Sequence, residues 1–356
     1  MRRFLLILLC CMLPLTALAE HTVTLTFLGD CTIGGEDRLR EFDYSFDGYV
    51  RQYGYDYFFE KVQPIIAKDD LTIANLEGCF LNYESGAVDK TYNFRGPKDY
   101  VNVLSGSSVE VVGIANNHIM DYGYDGVTHT VNTLNAASLP FFGTNDAVQQ
   151  TWIWEDGNVR IGFVGMEISY WYYRHRNLLK GQVEDLRAQG CDVVICVMHG
   201  GEEYRPRHLA IQEQFAHTVL DYGVDIIVGH HPHVLQGVEV RNGKTICYSI
   251  GNFVFGGNAA IRAPYTAMFQ FTLSFSEAGD YLGHQLNIIP ALPSGEREFN
   301  NYQPVLASGE DAQTVMAQIQ HDTKFTLQPY VEGVGAMQEF VPAIAPTEIP
   351  AENKEE

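Results

Sequence analysis

Hydrophobic and polar positions alternate in blocks along this chain. Short runs rich in β-branched and apolar residues occur at Val23–Leu28, Leu71–Ala74, Val109–Ile114, Arg160–Gly165, Asp192–Met198, Asp225–Val228 and Thr245–Ser249. Each has the length and bounding residues of a buried strand. Between them, helical periodicity predicts helices at Tyr57–Ala67, Val127–Ala137, Leu178–Gln189 and His208–Tyr222. The last two meet Gly190 and Gly223, which are normal helix stops. Strand and helix in alternation predict an α/β fold. Past residue 265 the pattern changes. Ala267–Phe275 and Gly283–Ile289 read as antiparallel strands around the turn Glu277-Ala278-Gly279-Asp280, and 310–321 as a last helix.

The two ends differ from this middle. Arg2 and Arg3 precede the apolar run Phe4–Leu13, and Ala17-Leu18-Ala19 fits a small-x-small cleavage pattern. The run is too short for a comfortable membrane span, which takes about 20 apolar residues. Residues 1–19 are therefore expected to be a secretory signal, with the protein secreted or held at the extracytoplasmic face. One domain is expected over 20–320. A C-terminal extension over 321–356 follows, its Pro, Ala and Glu content from Pro342 predicting a disordered acidic tail.

Net charge is −21, which argues against a nucleic-acid partner, because phosphate backbones are bound by basic surfaces. An acidic chain that handles an anion needs local positive charge, from metal ions or arginines. Outside the leader the cysteines are Cys31, Cys79, Cys191, Cys196 and Cys247, with no metal-type spacing. Cys31 and Cys79 follow acidic motif residues, so a single disulfide between them and free buried thiols are both open readings.

Polar clusters follow the predicted strands, and open α/β sheets place ligands at the carboxyl ends of strands. Asp30 leaves the first strand after Gly29; it suits a hard cation, or equally a turn or helix cap. Asn75 and Glu77 fall on one face by alternation. Asn116, Asn117, His118 and Asp121 lie within six residues of one another; an asparagine here can also be a cap. His199 ends an apolar strand, where a lone histidine is commonly packing, but Gly200 and Gly201 after it allow close backbone approach. His230-His231-Pro232-His233 puts three histidines in four residues at a strand end, and alternation points His231 and His233 into one site. Neutral imidazole is the commonest transition-metal ligand, and the mixed oxygen and nitrogen set suits one or two Zn, Mn or Fe ions. No G-x-S-x-G elbow, P-loop or dinucleotide fingerprint is present.

Taken in order, Gly29-Asp30, Asn75-Leu76-Glu77-Gly78, Ala115-Asn116-Asn117-His118 with Asp121, His199-Gly200-Gly201-Glu202-Glu203-Tyr204 and Gly229-His230-His231-Pro232-His233 resemble the CapA family of capsule-synthesis proteins. Phe94-Arg95-Gly96-Pro97, Tyr248-Ser249-Ile250-Gly251-Asn252-Phe253 and Tyr302-Gln303-Pro304 extend the resemblance over roughly residues 22–320. It implies a calcineurin-like metallophosphatase α/β/β/α sandwich with a strand-end divalent-metal site. It also implies a role in poly-γ-glutamate synthesis, with that anionic polymer as substrate and membrane-bound capsule-synthase components as partners. Carried over, the metal ligands are Asp30, Glu77, Asn117, His199, His231 and His233, and His118 steered by Asp121 is the catalytic pair. Arg95, Asn116, Asn252 and Glu203 are the substrate-binding candidates, Arg95 as a bidentate holder of a carboxylate or phosphate. The sequence departs from the phosphatase Asp-x-His pattern, since Cys31-Thr32 follows Asp30, so one histidine ligand is missing. The run Tyr170-Trp171-Tyr172-Tyr173-Arg174-His175-Arg176 can form a lid over an anionic chain or a solvated loop. The reaction expected is hydrolysis; a non-enzymatic polymer-binding accessory and a general secreted phosphoesterase are the alternatives.

Overall fold

A computed structural model describes residues 21–83, 86–168 and 175–344. The segment expected as a leader (1–19), residues Tyr170–Arg174 of the run read as a lid or solvated loop, and residues 345–356 of the expected tail lie outside the described residues.

Two sheets face each other. In the first, the long strand His21–Thr32 pairs in parallel with Leu71–Leu76 and antiparallel with Thr266–Phe275. Leu71–Leu76 continues in parallel to Val111–Gly113, and Thr266–Phe275 pairs with Tyr281–Leu292. The second sheet runs Trp152–Asp156, Val159–Glu167, Val193–His199, Ile226–His230, Lys244–Cys247 and Val238–Arg241 in spatial order. Phe141–Thr144 joins the sheets, pairing with Val112 and Gly113 on one side and Met166 on the other.

Side-chain alternation builds three apolar layers from these strands. Val23, Leu25 and Phe27 face inward and meet Ile161, Phe163, Ile195 and Val228 between the sheets. On the outer face of the first sheet, Leu28, Ala74 and Val112 pack under helical segments through Phe46, Leu104 and Leu134. On the outer face of the second, Val164, Cys196 and Ile227 pack under the helices Arg176–Ala188 and Ala210–Asp221 through Leu179, Val183, Phe215 and Val219. This is the α/β/β/α sandwich expected. Val193–His199 is buried along its whole length, as a strand covered on both faces must be, and that is why it reads as a continuous apolar run.

Local differences from the sequence reading have local causes. The helix expected over Tyr57–Ala67 is confined to Gln63–Ile66, because Pro64 is tolerated only in a first turn. A helix over Phe46–Tyr53 was not legible from periodicity; Ser45 Oγ caps it by accepting from Gly48 N at 3.0 Å. Beyond the last helix, Gly309–His321, the chain stays attached. Ala336 and Met337 pair with Ile288 and Asn287, and Val341 and Pro342 pair with His284 and Gly283. Among the described residues all five cysteines are free and buried, which answers the alternative of a Cys31–Cys79 disulfide.

Candidate metal centre

Parallel pairing brings the motif-bearing strand ends to one rim. Asp30 is in register with Asn75 and also with Asn252, Asn75 with Gly113, and His199 with His230. Two glycines let the segments close in. A Cβ on Gly29 would stand 2.1 Å from the Gly251 carbonyl oxygen, and one on Gly229 would stand 2.0 Å from that of Tyr248. His231 (φ +95°) and His233 (φ +59°) occupy left-handed backbone, unfavourable for non-glycine residues by about 1–3 kcal/mol each. Such strain persists where surrounding contacts hold it, and here Asp30 supplies them.

Asp30 is fully buried and organises the rim. Its Oδ1 accepts from Asn75 Nδ2 and His230 Nδ1, both at 2.8 Å. Its Oδ2 accepts from the His231 backbone N–H at 3.2 Å and lies 3.2 Å from His233 Nδ1. Burial alone would raise the Asp30 pKa. The hydrogen bonds and charges of His230 and His233 outweigh it and hold the carboxylate well below its ordinary range. Asn252 Oδ1 accepts from His233 Nδ1 at 2.8 Å. Asn116 donates to Leu76 O at 2.7 Å and Asn75 Oδ1 at 3.2 Å, and its Oδ1 accepts from His118 N at 3.1 Å. Asn116 and Asn252, read from sequence as substrate contacts, are thus occupied in orienting the cluster.

Glu77 is the opposite case. Its carboxylate is fully buried, and neither oxygen has a hydrogen-bond partner. His118 Nε2 and His199 Nε2 each stand 3.8 Å from its Oε1. Burial, reinforced by the charge of Asp30, pushes the Glu77 pKa well above the carboxylate range. Asn117 Oδ1 lies 2.8 Å from His199 Nε2, so this pair sits together beside Glu77. The His118 ring stacks on Phe94 with centroids 4.2 Å apart, and its Nδ1 donates to Asp121 Oδ2 at 2.7 Å. Asp121 also accepts from Lys90 Nζ at 2.5 Å and from Phe94 N at 2.6 Å.

The remaining candidates fall elsewhere. Arg95 is buried, donating to Leu81 O at 2.8 Å and pairing with Asp37 at 2.6 Å; these contacts tie loops together and do not present the guanidinium to a ligand. Glu203 is exposed and, with Tyr204, lines the mouth beside His118 and His233. Of the lid run, Arg176 donates to the Tyr222 hydroxyl at 2.7 Å. Sequence reading missed Lys90, which stands in a polar loop with no local signal. It also passed over His230, whose side chain reaches Asp30 only because the two sheets meet at this rim.

The residues present fit a divalent cation. Glu77 with His231 and His233, and Asp30 with Glu77 and His199, form two groups sharing Glu77, each with ligand atoms within 4.8 Å of one another. Zn-type bonds of about 2.0–2.2 Å bring such atoms onto one ion with small adjustments. Burial pushes His199 well below the ordinary imidazole range and His231 down to about 4, and lowers His118 also. Neutral imidazole is the ligating form, so His233, where the effect of burial is outweighed by Glu77 and Asp30 and the pKa is raised to about 9, would give up a proton on binding. His231 Nδ1 is buried without a hydrogen-bond partner, as are both Glu77 oxygens. An unpartnered buried carboxylate is costly unless a cation meets it.

A model of the family described as bacterial capsule synthesis protein PGA_cap matches residues 24–257. The chain is 29% identical over 265 residues to the capsule biosynthesis protein CapA of Bacillus anthracis, covering 68% of this chain and 62% of that one. It therefore spans less than two thirds of that relative's length. It is 28% identical over 326 residues to the PGA biosynthesis protein CapA of Bacillus subtilis, covering 86% of this chain and 80% of that one. Among solved structures it is similar to a phosphatase from Mycoplasma pneumoniae, at 13% identity and a TM-score of 0.44, covering 76% of this chain and 94% of that one. The family match spans every strand that delivers a residue to the rim, and the chain belongs to the bacterial capsule synthesis protein PGA_cap family.

Proposed function

We propose that this protein is a divalent-metal-dependent hydrolase of the cell exterior, acting on poly-γ-glutamate or a related anionic surface polymer. The observation that carries this reading is Glu77, a buried carboxylate with no hydrogen-bond partner, faced by two histidine nitrogens at 3.8 Å. Family membership and the CapA relatives support the polymer; the leader-like residues 1–19 support the location. Mn, Zn or Fe bound there would supply a water of lowered pKa and polarise the scissile group.

The chain's own residues do the rest. Asp30, Glu77, Asn117, His199, His231 and His233 would hold the ion or ions. Asp30 fixes the backbone and rings of the 230–233 turn. Asp121 accepts the Nδ1–H hydrogen bond of His118, which leaves Nε2 facing Glu77 as the atom that would accept or deliver a proton during bond cleavage. Lys90 Nζ pairs with Asp121 Oδ1 at 2.5 Å and helps hold that carboxylate against His118.

A second reading, a non-catalytic polymer-binding accessory, is favoured by one observation. Both Asp30 oxygens are already engaged by protein donors, and no histidine stands at position 32. Elemental analysis of the protein and of a His231→Ala, His233→Ala double variant, followed by product analysis with poly-γ-glutamate, separates the two. One or two ions per chain, lost in the double variant together with chain cleavage, is the expected result. Bound metal without any product would favour the accessory, and no metal after reloading would remove both the centre and the hydrolase.

A further inference from the structure

An acidic chain that works on a polyanion must overcome its own field near the site, and net charge here is −21. The cavity against His118 and His233 is walled by Tyr92, Phe94, Tyr204 and Phe255, with Glu203 and Arg262 also in its lining. Lys90, on the inner side, is committed to Asp121 and the Asn117 carbonyl. Among the described residues, Arg262 is bonded by its side chain to Tyr204 and Tyr92 and to no carboxylate, and it is exposed. Its guanidinium carbon lies 5.9 Å from the centre of the Tyr204 ring, which in turn lies 5.9 Å from the His233 ring.

Arg262 is held in place rather than trailing in solvent. Its loop continues from Asn252–Phe255, the strand whose Asn252 orients His233. Gly256 N donates to Thr32 O at 2.9 Å, which ties the loop to the Asp30 strand. Asn300 Nδ2 donates to the carbonyls of Phe255 at 3.0 Å and Asn258 at 2.8 Å, and Asn300 N to that of Ala259 at 3.2 Å. Tyr204, over which the guanidinium lies, has left-handed backbone (φ +58°) fixed by its own N–H to Pro232 O at 2.8 Å. The turn carrying His231 and His233 and the loop carrying Arg262 therefore set the position of the guanidinium relative to the metal cluster.

We infer that Arg262 is a specificity-determining residue that binds a second anionic group of the substrate, one unit along from the group at the metal cluster. Resting on the polymer reading above, this group is the free α-carboxylate that every unit of a γ-linked glutamyl chain carries. A planar guanidinium matches a carboxylate in two parallel hydrogen bonds, and Tyr204 and Tyr92 line the cavity beside it. A substrate with a single anionic group at the metal would gain nothing from it.

The test uses the metal-loaded full chain and its Arg262→Ala and Arg262→Lys variants. Binding and turnover are measured with poly-γ-glutamate and with its α-methyl ester, and metal content is checked in each. For R262A the expected result is a rise of about 10-fold or more in Kd or KM for the acid polymer, the loss of one charge-assisted contact. kcat, bound metal and ester binding should stay as in the native chain, and R262K should recover part of the loss. Arg262-dependent binding without product keeps this inference and overturns the hydrolase. Turnover of the acid polymer that R262A leaves unchanged overturns this inference and keeps the hydrolase. An equal loss on acid and ester shows that charge is not being read and overturns it too. No binding and no turnover by the native chain overturns both.

Discussion

Two buried carboxylates a few ångströms apart have opposite roles because their hydrogen bonding differs. Asp30 is surrounded by donors and stays ionised, whereas Glu77 has none and waits for a cation. Glu77→Gln should therefore leave the metal-free protein at least as stable as the native chain, since an amide replaces an unmet carboxyl. Saturating Mn or Zn at about 100 Kd should stabilise the native protein by about 2.7 kcal/mol. Thermal melts should show no such shift in E77Q, and an undiminished metal-induced shift would take Glu77 out of the centre. Asp30→Ala should behave differently. It strips His230, His233 and the strained turn of their shared acceptor, and should cost about 3–5 kcal/mol, read by denaturant unfolding with or without metal.

At the scale of the element, packing decides what a strand tolerates. Gly229 in Ile226–His230 has the Tyr248 carbonyl where a side chain would go, so Gly229→Ala should push the neighbouring segment away. A loss of about 3 kcal/mol or more is expected, together with weakened metal retention; calorimetry with elemental analysis checks both. His284 gives the strand Tyr281–Leu292 a pH dependence of its own. It is fully buried between the Thr245 and Tyr281 hydroxyls, at 2.6 and 2.5 Å, and burial pushes its pKa down to about 4. The unfolded chain takes up that proton near pH 6.5 and the folded chain does not. The contribution is thus fully present above about pH 6.5 and is lost as pH falls toward 4, by roughly 3 kcal/mol at most. Unfolding free energies of the native chain and of His284→Leu, compared from pH 7.5 to 4, should converge as pH falls; parallel curves would contradict the assignment.

Across the molecule, the C-terminal segment closes what the strands leave open. Asp322 Oδ2 accepts from the backbone N–H groups of His208 and Gly237, each at 3.0 Å, and Thr323 Oγ1 accepts from Val238 N at 2.9 Å. Residues 336–342 cover the edge of Tyr281–Leu292. A chain ending at His321 should lose these bonds and expose an edge strand, with a Tm several degrees lower and concentration-dependent aggregation seen by light scattering. An unchanged Tm would show that the sheet edge needs no cover.

What the sequence determined by itself was the set of parts. Runs such as Val193–His199 announced buried strands because burial on both faces demands continuous apolar residues. The polar motifs after them stood out because strand ends are where an α/β sheet offers open space. The helix expected at Tyr57–Ala67 and the unseen one at Phe46–Tyr53 mark the limit of periodicity, since one proline and one serine cap set those boundaries. Only the tertiary structure decided what each motif residue does. Sequence cannot tell that Asp30 meets His230, 200 positions away, or that Glu77 meets nothing, because hydrogen-bond satisfaction depends on neighbours brought by register between separate strands. For the same reason Arg95 was legible as a cation but not as Asp37's buried partner, and Lys90 and Arg262 became visible only when their loops were folded against the rim.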